Sequence, residues 1–143
     1  MRRLLLTSET VVDQDSMDTV SKVVMIADTD HQVRQLVSHF LTGTGYTVEY
    51  ALDGYEALDR ARAAPPDVVL ADILLPRLDG LALCRLLKGD PATEDVTVII
   101  FSVLASEERA LKAGADAFTH KPLEKNRLLK VLEQATRKRN TIA

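Results

Sequence analysis

Five short runs that read as β-strands alternate with five stretches of helical periodicity, and this alternation limits the fold more than any other feature of the sequence. The runs are Val23–Ala27, Tyr46–Ala51, Val68–Ala71, Val96–Phe101 and Ala117–His120. The third is short, apolar and rich in β-branched residues, as strands buried on both faces are, and the first also reads as a buried strand. The second alternates between polar and apolar residues, which suits an edge strand with one wetter face. Between them, Val33, Leu36, Val37, Phe40 and Leu41 fall on one helical face, stopped by Gly43 and Gly45. Asp53-Gly54 opens a helix carrying Ala57, Leu58 and Ala61, and Pro65-Pro66 ends it. Leu83, Cys84, Leu86 and Leu87 mark a third helix, and Ser106 to Ala113 a short fourth with Gly114 as its stop. The last helix shows Leu128, Leu129, Leu132 and Ala135, and its basic end, Arg137-Lys138-Arg139, suits the negative pole of a helix terminus. This order predicts the α/β class: a three-layer α/β/α sandwich around a five-stranded parallel sheet with right-handed crossovers.

The chain's 143 residues are enough for one domain with a proper core and too few for two. A net charge of −3 leaves no basic footprint, so neither nucleic acid nor an anionic membrane is an expected partner. The single cysteine, Cys84, excludes an internal disulfide and reads as a small core residue among leucines. No apolar run approaches the ~20 residues needed to span a bilayer. Met1–Leu6 starts basic, but its apolar stretch is too short for a signal sequence, so a cytoplasmic protein is expected. Residues 1–20 lack any sustained period and read as a flexible leader; residues 21–143 form the domain.

In an open parallel sheet, ligands bind at the C-terminal ends of the strands. Here those ends carry Asp28 (with Asp30 close by), Asp72, Ser102 and Lys121. Asp72 also precedes a loop with Pro76 and a helix start at Asp79-Gly80. Each residue alone has a plain role as a helix cap, a turn hydroxyl or a solvated charge. All of them at one rim suit phosphoryl chemistry. A carboxylate can act as nucleophile and form an aspartyl phosphate. Mg²⁺ takes a few oxygen ligands and bridges to phosphoryl oxygens. A hydroxyl and a lysine bind the remaining oxygens and spread their charge.

Asp72-x-x-Leu75-Pro76-x-x-Asp79-Gly80, the run Gly114–Pro122 and Asp53-Gly54-x-Glu56-Ala57-Leu58 together resemble the receiver domain of two-component response regulators, over residues ~22–138. The resemblance implies a flavodoxin-like strand order 2-1-3-4-5. It implies that Asp72 accepts a phosphoryl group from a histidine kinase or phosphotransfer protein. Ser102 would supply the hydroxyl that follows the phosphoryl group, and Lys121 the ammonium that contacts it. Mg²⁺ would sit on Asp28, Asp72 and the backbone carbonyl of Leu74, with Asp30 as a further candidate. Ser102 and Phe118 would form the switch, and Lys121-Pro122 would be a cis peptide bond. Such a domain is a phosphoacceptor, not a turnover enzyme. With the sequence ending at Ala143, no output module is expected, so it would signal to an unknown downstream protein by contact. A piece of a longer regulator would read the same way.

Three features depart from that family. It places two adjacent acidic residues after the first strand, whereas this chain reads Ala27-Asp28-Thr29-Asp30. Counting from Lys22 puts the pair at 27 and 28; counting back from Arg34 and Gly45 puts it at 28 and 29. Either register leaves one acidic place unfilled, and Asp30 stands both as a helix cap and as a ligand, direct or through water. The segment from Ser102 to Gly114 is short by ~3 residues, close to one helical turn. Phe118 stands where the family often has tyrosine and lacks its hydroxyl. These departures motivate an alternative, a pseudo-receiver that binds its partner regardless of phosphorylation. A third reading, a haloacid-dehalogenase-like phosphatase, rests on Asp28-Thr29-Asp30 after a buried strand, but no acidic pair follows Lys121 at a strand end.

Overall fold

The computed structural model describes residues 22–142, with side chains through Arg137; the expected leader over residues 1–20 lies outside the described residues. The strands are β1 (Lys22–Ala27), β2 (Tyr46–Ala51), β3 (Val68–Asp72), β4 (Thr97–Ser102) and β5 (Ala117–His120). The helices are α1 (His31–Phe40), α2 (Gly54–Ala63), α3 (Gly80–Lys88), α4 (Glu107–Lys112) and α5 (Lys125–Ile142). All four strand pairings are parallel, in the order β2-β1-β3-β4-β5. This is the flavodoxin-like order that the resemblance implied.

The period-two geometry of the strands sorts their side chains into two cores. Met25, Val69, Ala71, Val98 and Ile100 face α2, α3 and α4, meeting Ala57, Leu58, Leu83, Cys84, Leu87 and Ala110. Val24, Ile26, Val68, Leu70, Ile99 and Phe101 face α1 and α5, meeting Val37, Leu41, Leu128, Leu132 and Ala135. All eleven of these strand residues, on the three inner strands β1, β3 and β4, are fully excluded from solvent, as expected of a sheet covered on both faces. β2 is the mixed edge strand its alternation predicted; of its residues only Ala51 is buried.

Local chemistry sets the element ends. Asp30, Asp53 and Asp79 are the N-caps of α1, α2 and α3, each accepting a backbone N–H from its own first turn. Gly43 and Gly45, at φ +80° and +91°, turn the chain from α1 into β2, which a Cβ would strain. β4 starts at Thr97, one residue later than expected, because the Val96 N–H is taken by the carbonyl of Thr93 in a turn. α4 has six residues, so the shortness read from the Ser102–Gly114 spacing shows up as a helix of under two turns. Among the described residues, no helix is long and apolar enough to cross a membrane.

Candidate functional site

The C-terminal rim of the sheet gathers the residues that the sequence singled out. β3 ends on Asp72, whose Cα pairs in register with Phe101, so Ser102 lies one step beyond on the neighbouring strand. β5 ends at His120 and hands Lys121 to the rim through a Lys121-Pro122 bond that is cis, as the resemblance implied. The Lys121 N–H donates to the Ser102 carbonyl at 2.9 Å, fastening this loop to β4.

At the centre, Lys121 Nζ donates to Asp28 Oδ2 at 2.8 Å and to Asp72 Oδ2 at 3.3 Å. Both carboxylates are nearly closed to solvent, at 1% and 7% exposure, so the ammonium is their main compensating charge. Burial by itself would lower the Lys121 pKa. The hydrogen bond that the ammonium donates to Asp28 and the charges of Asp28 and Asp72 outweigh it, and the net position is above an ordinary lysine. The ammonium also sits 4.8 Å from the centroid of the Phe101 ring, a cation–π contact on the floor of the pocket.

The register left open after the first strand closes here. Ala27 is fully buried within β1 and packs in the core with Met25, so it does not belong to the pocket. Asp28 is the inward carboxylate, and Thr29 beside it is exposed. Asp30 is also exposed; its Oδ1 accepts the Gln32 N–H at 2.9 Å as the cap of α1, outside the hydrogen-bonded cluster of Asp28, Asp72 and Lys121. The remaining Asp28 oxygen, Oδ1, accepts the Asp30 N–H at 2.7 Å, which holds the turn into α1 against the pocket wall.

The other oxygens of the site are held by local turns. Asp72 Oδ1 accepts the Leu74 N–H at 3.3 Å, and Ser102 Oγ accepts the Leu104 N–H at 3.1 Å. These bonds tie each side chain to the loop that follows its own strand. Phe118 is half-buried, packs against the core under α4, and meets the His120 ring edge-on at 4.9 Å. The loop after Asp72 is pinned twice. Arg77 has φ +69°, with the Leu78 N–H donating to the Pro76 carbonyl at 2.7 Å across it. Its guanidinium pairs with Asp53 at 3.0 Å and lies 5.2 Å from the Tyr55 ring centroid. Gly80 must be glycine, since a Cβ there would run into the Asp72 carbonyl; Gly54 likewise abuts the Leu78 carbonyl.

Three contributors were not legible beforehand. Phe101 read as a core residue and also underlies the ammonium. Arg34 donates to the Asp28 carbonyl at 2.8 Å, and Arg77 buttresses the loop. Both arginines sit on helix or loop surfaces where one more cation carries no signal.

Asp28 and Asp72 are two carboxylates joined by one ammonium, a donor type that could hold a hard cation, since Mg²⁺ is commonly held by one or two carboxylates together with phosphate and water. Among the described residues, no group of three or more His, Cys, Asp or Glu side chains forms a metal cluster.

Comparison with known proteins gives the same picture. The family model described as response regulator receiver domain matches residues 24–133. The response regulator MprA of Mycobacterium tuberculosis is 39% identical over 107 residues, which is 74% of this chain and 46% of MprA. The chain thus spans about half the length of the curated relatives it matches. Among solved structures, the chemotaxis response regulator CheY4 of Vibrio cholerae superposes with a TM-score of 0.76 at 28% identity, covering 81% of this chain and 99% of that one. The receiver domain of sensor histidine kinase PA1611 from Pseudomonas aeruginosa shares the fold, with a TM-score of 0.74 at 23% identity, over 82% of this chain and 98% of that one. That structure is described with a magnesium ion coordinated in its active-site cleft.

Proposed function

The chain belongs to the receiver-domain family of response regulators, and from that premise we propose that Asp72 is its phosphoacceptor, charged by a histidine kinase or a phosphotransfer protein in the cytoplasm. The observation that carries this reading is the Lys121 ammonium shared between Asp28 and Asp72 at the tips of three strands. An Asp72 oxygen attacks the phosphorus of a phosphohistidine, the P–N bond breaks, and the imidazole leaves with its electron pair and picks up a proton. The product is an acyl phosphate on Asp72, an acceptor reaction without turnover of its own. Lys121 is placed to neutralise the equatorial oxygens of the transferring group, and Ser102 to donate its hydroxyl to one of them. Asp28, Asp72 and the Leu74 carbonyl are the residues that would hold Mg²⁺. When bound, the ion neutralises charge on the phosphoryl oxygens.

The phosphoryl group adds about −1.5 to −2 charges at a rim that already holds two carboxylates. Ser102 Oγ accepts the Leu104 N–H in the β4–α4 loop, so drawing the hydroxyl toward that charge moves this loop. Signalling then goes through protein contacts near α4, with Phe118 as the aromatic that fills or leaves the space beneath it. The net charge of −3 favours a protein over nucleic acid as the partner.

Intact-mass measurement after treatment with acetyl phosphate and Mg²⁺ tests the assignment. Wild type should gain one phosphoryl group and Asp72→Asn none. No gain under generous Mg²⁺ would hand the site to the pseudo-receiver reading. Steady hydrolysis of a phosphate ester lost in Asp28→Asn but kept in Asp72→Asn would restore the phosphatase one.

A further inference from the structure

Outside the cluster of Asp28, Asp72 and Lys121, a cavity of about 250 Å³ lies between α3 and α4, lined by Asp79, Leu81, Arg85, Arg109, Lys112 and Ala113. Three cations converge there in a chain whose net charge is −3. Lys112 pairs with Glu108 at 3.2 Å, an exposed pair within one helix that constrains it little. Asp79 keeps one oxygen on the Ala82 N–H at 2.8 Å as the cap of α3. Arg85 and Arg109 are exposed and take part in no ion pair among the described residues. Beside the groove, α4 is only six residues long, about 9 Å, alongside the nine of α3.

We propose that this groove is a docking surface for an acidic segment of a partner protein. Its floor is apolar, with Leu81 and Ala113 each 5% exposed, so carboxylates bound there meet the arginines against a surface poor in water. The volume is below the ~300–1,000 Å³ of small-molecule sites and suits one or two side chains of a peptide. Three cations on one short patch are too few for the many phosphate contacts that give nucleic-acid affinity. Two of them, Arg109 and Lys112, ride on α4, so a shift of the loop from Ser102 changes their spacing to Arg85. Only this link to α4 movement rests on the receiver reading; the docking chemistry stands without it.

The test titrates the full-length ¹⁵N-labelled chain with a Glu/Leu peptide of about twelve residues, against a Lys/Leu peptide of the same length. The acidic peptide should shift the amides of Leu81, Arg85, Arg109 and Lys112, and weaken steeply with salt. Arg85→Glu/Arg109→Glu should weaken binding at least about tenfold and Arg85→Gln/Arg109→Gln less, both with an otherwise unchanged spectrum. Equal affinity in the charge-reversed variant, or shifts centred elsewhere, overturns the proposal. So does movement of the same amides without peptide in Glu9→Gln/Asp13→Asn/Asp15→Asn/Asp18→Asn, because the chain's own leader would then be the occupant. Phosphodonor labelling of Asp72 is read separately on the same sample, so failure of the groove and failure of the phosphoacceptor reading are distinguishable.

Discussion

Replacing Lys121 with methionine isolates the charge balance on which the site is built. The ammonium lies 2.8 Å from Asp28 and 3.3 Å from Asp72, with side-chain exposures of 15%, 2% and 10%. At an effective dielectric constant near 20, each contact is an attraction of roughly 5–6 kcal/mol before desolvation. Desolvating three ions offsets most of it, and removing one partner of such a buried set costs about 3–5 kcal/mol. That is a large share of the ~5–15 kcal/mol available to a domain. Methionine keeps the length and apolar stem of lysine, so lost packing contributes little. In metal-free buffer the urea midpoint of Lys121→Met should fall by about 2 M, given a slope of ~1–3 kcal/mol per M. Adding Asp28→Asn to that variant should recover about half the loss, since Asp72 then faces no like charge. Mg²⁺ should raise the midpoint of Lys121→Met more than that of wild type, with a cation taking the ammonium's place. A Lys121→Met protein within about 0.5 kcal/mol of wild type without metal would refute the reasoning.

Other outcomes follow from the same structure. Thr119 Oγ1 is buried with no hydrogen-bond partner, so Thr119→Val, which keeps the β-branch, should raise stability by about 1–2 kcal/mol in urea melts. Because Lys121 has a raised pKa in the fold, its contribution is complete below the ordinary lysine value near ~10.4 and is lost as pH rises through the folded value. Urea midpoints from pH 9 to 11.5 should therefore fall more steeply in wild type than in Lys121→Met. Thr29→Asp fills the vacant acidic place and should tighten Mg²⁺ binding about tenfold by calorimetry, with Asp72 labelling saturating at lower Mg²⁺. Burial pushes the Cys84 thiol up to about 11, so iodoacetamide at pH 8 should label it only in denaturant.

Much of the fold could be read in one dimension because its signals are local. Val68–Ala71 and Val98–Ile100 announce buried strands by composition alone, and Asp53-Gly54 and Asp79-Gly80 mark helix starts by capping chemistry. The same locality placed Asp72, Ser102 and Lys121 at strand ends, and a parallel sheet brings such ends to one rim. Where strand and helix patterns were weak, boundaries slipped, as at Val96, whose place is set by a turn to Thr93.

Which acidic place was empty could not be counted along the chain, because insertions and deletions in loops are invisible without a frame. It took the packing of Ala27 into the core beside Met25 to put Asp28 in the pocket and leave Thr29 exposed. The ammonium's two partners, at sequence separations of 93 and 49 residues, are likewise decided by three-dimensional proximity. So are the ring of Phe101 beneath it and the open groove beside α4. The sequence by itself determined the layers and the residue types at the rim, since those follow from periodicity and capping. Distances between charges, and hence their energies, exist only once the strands are side by side.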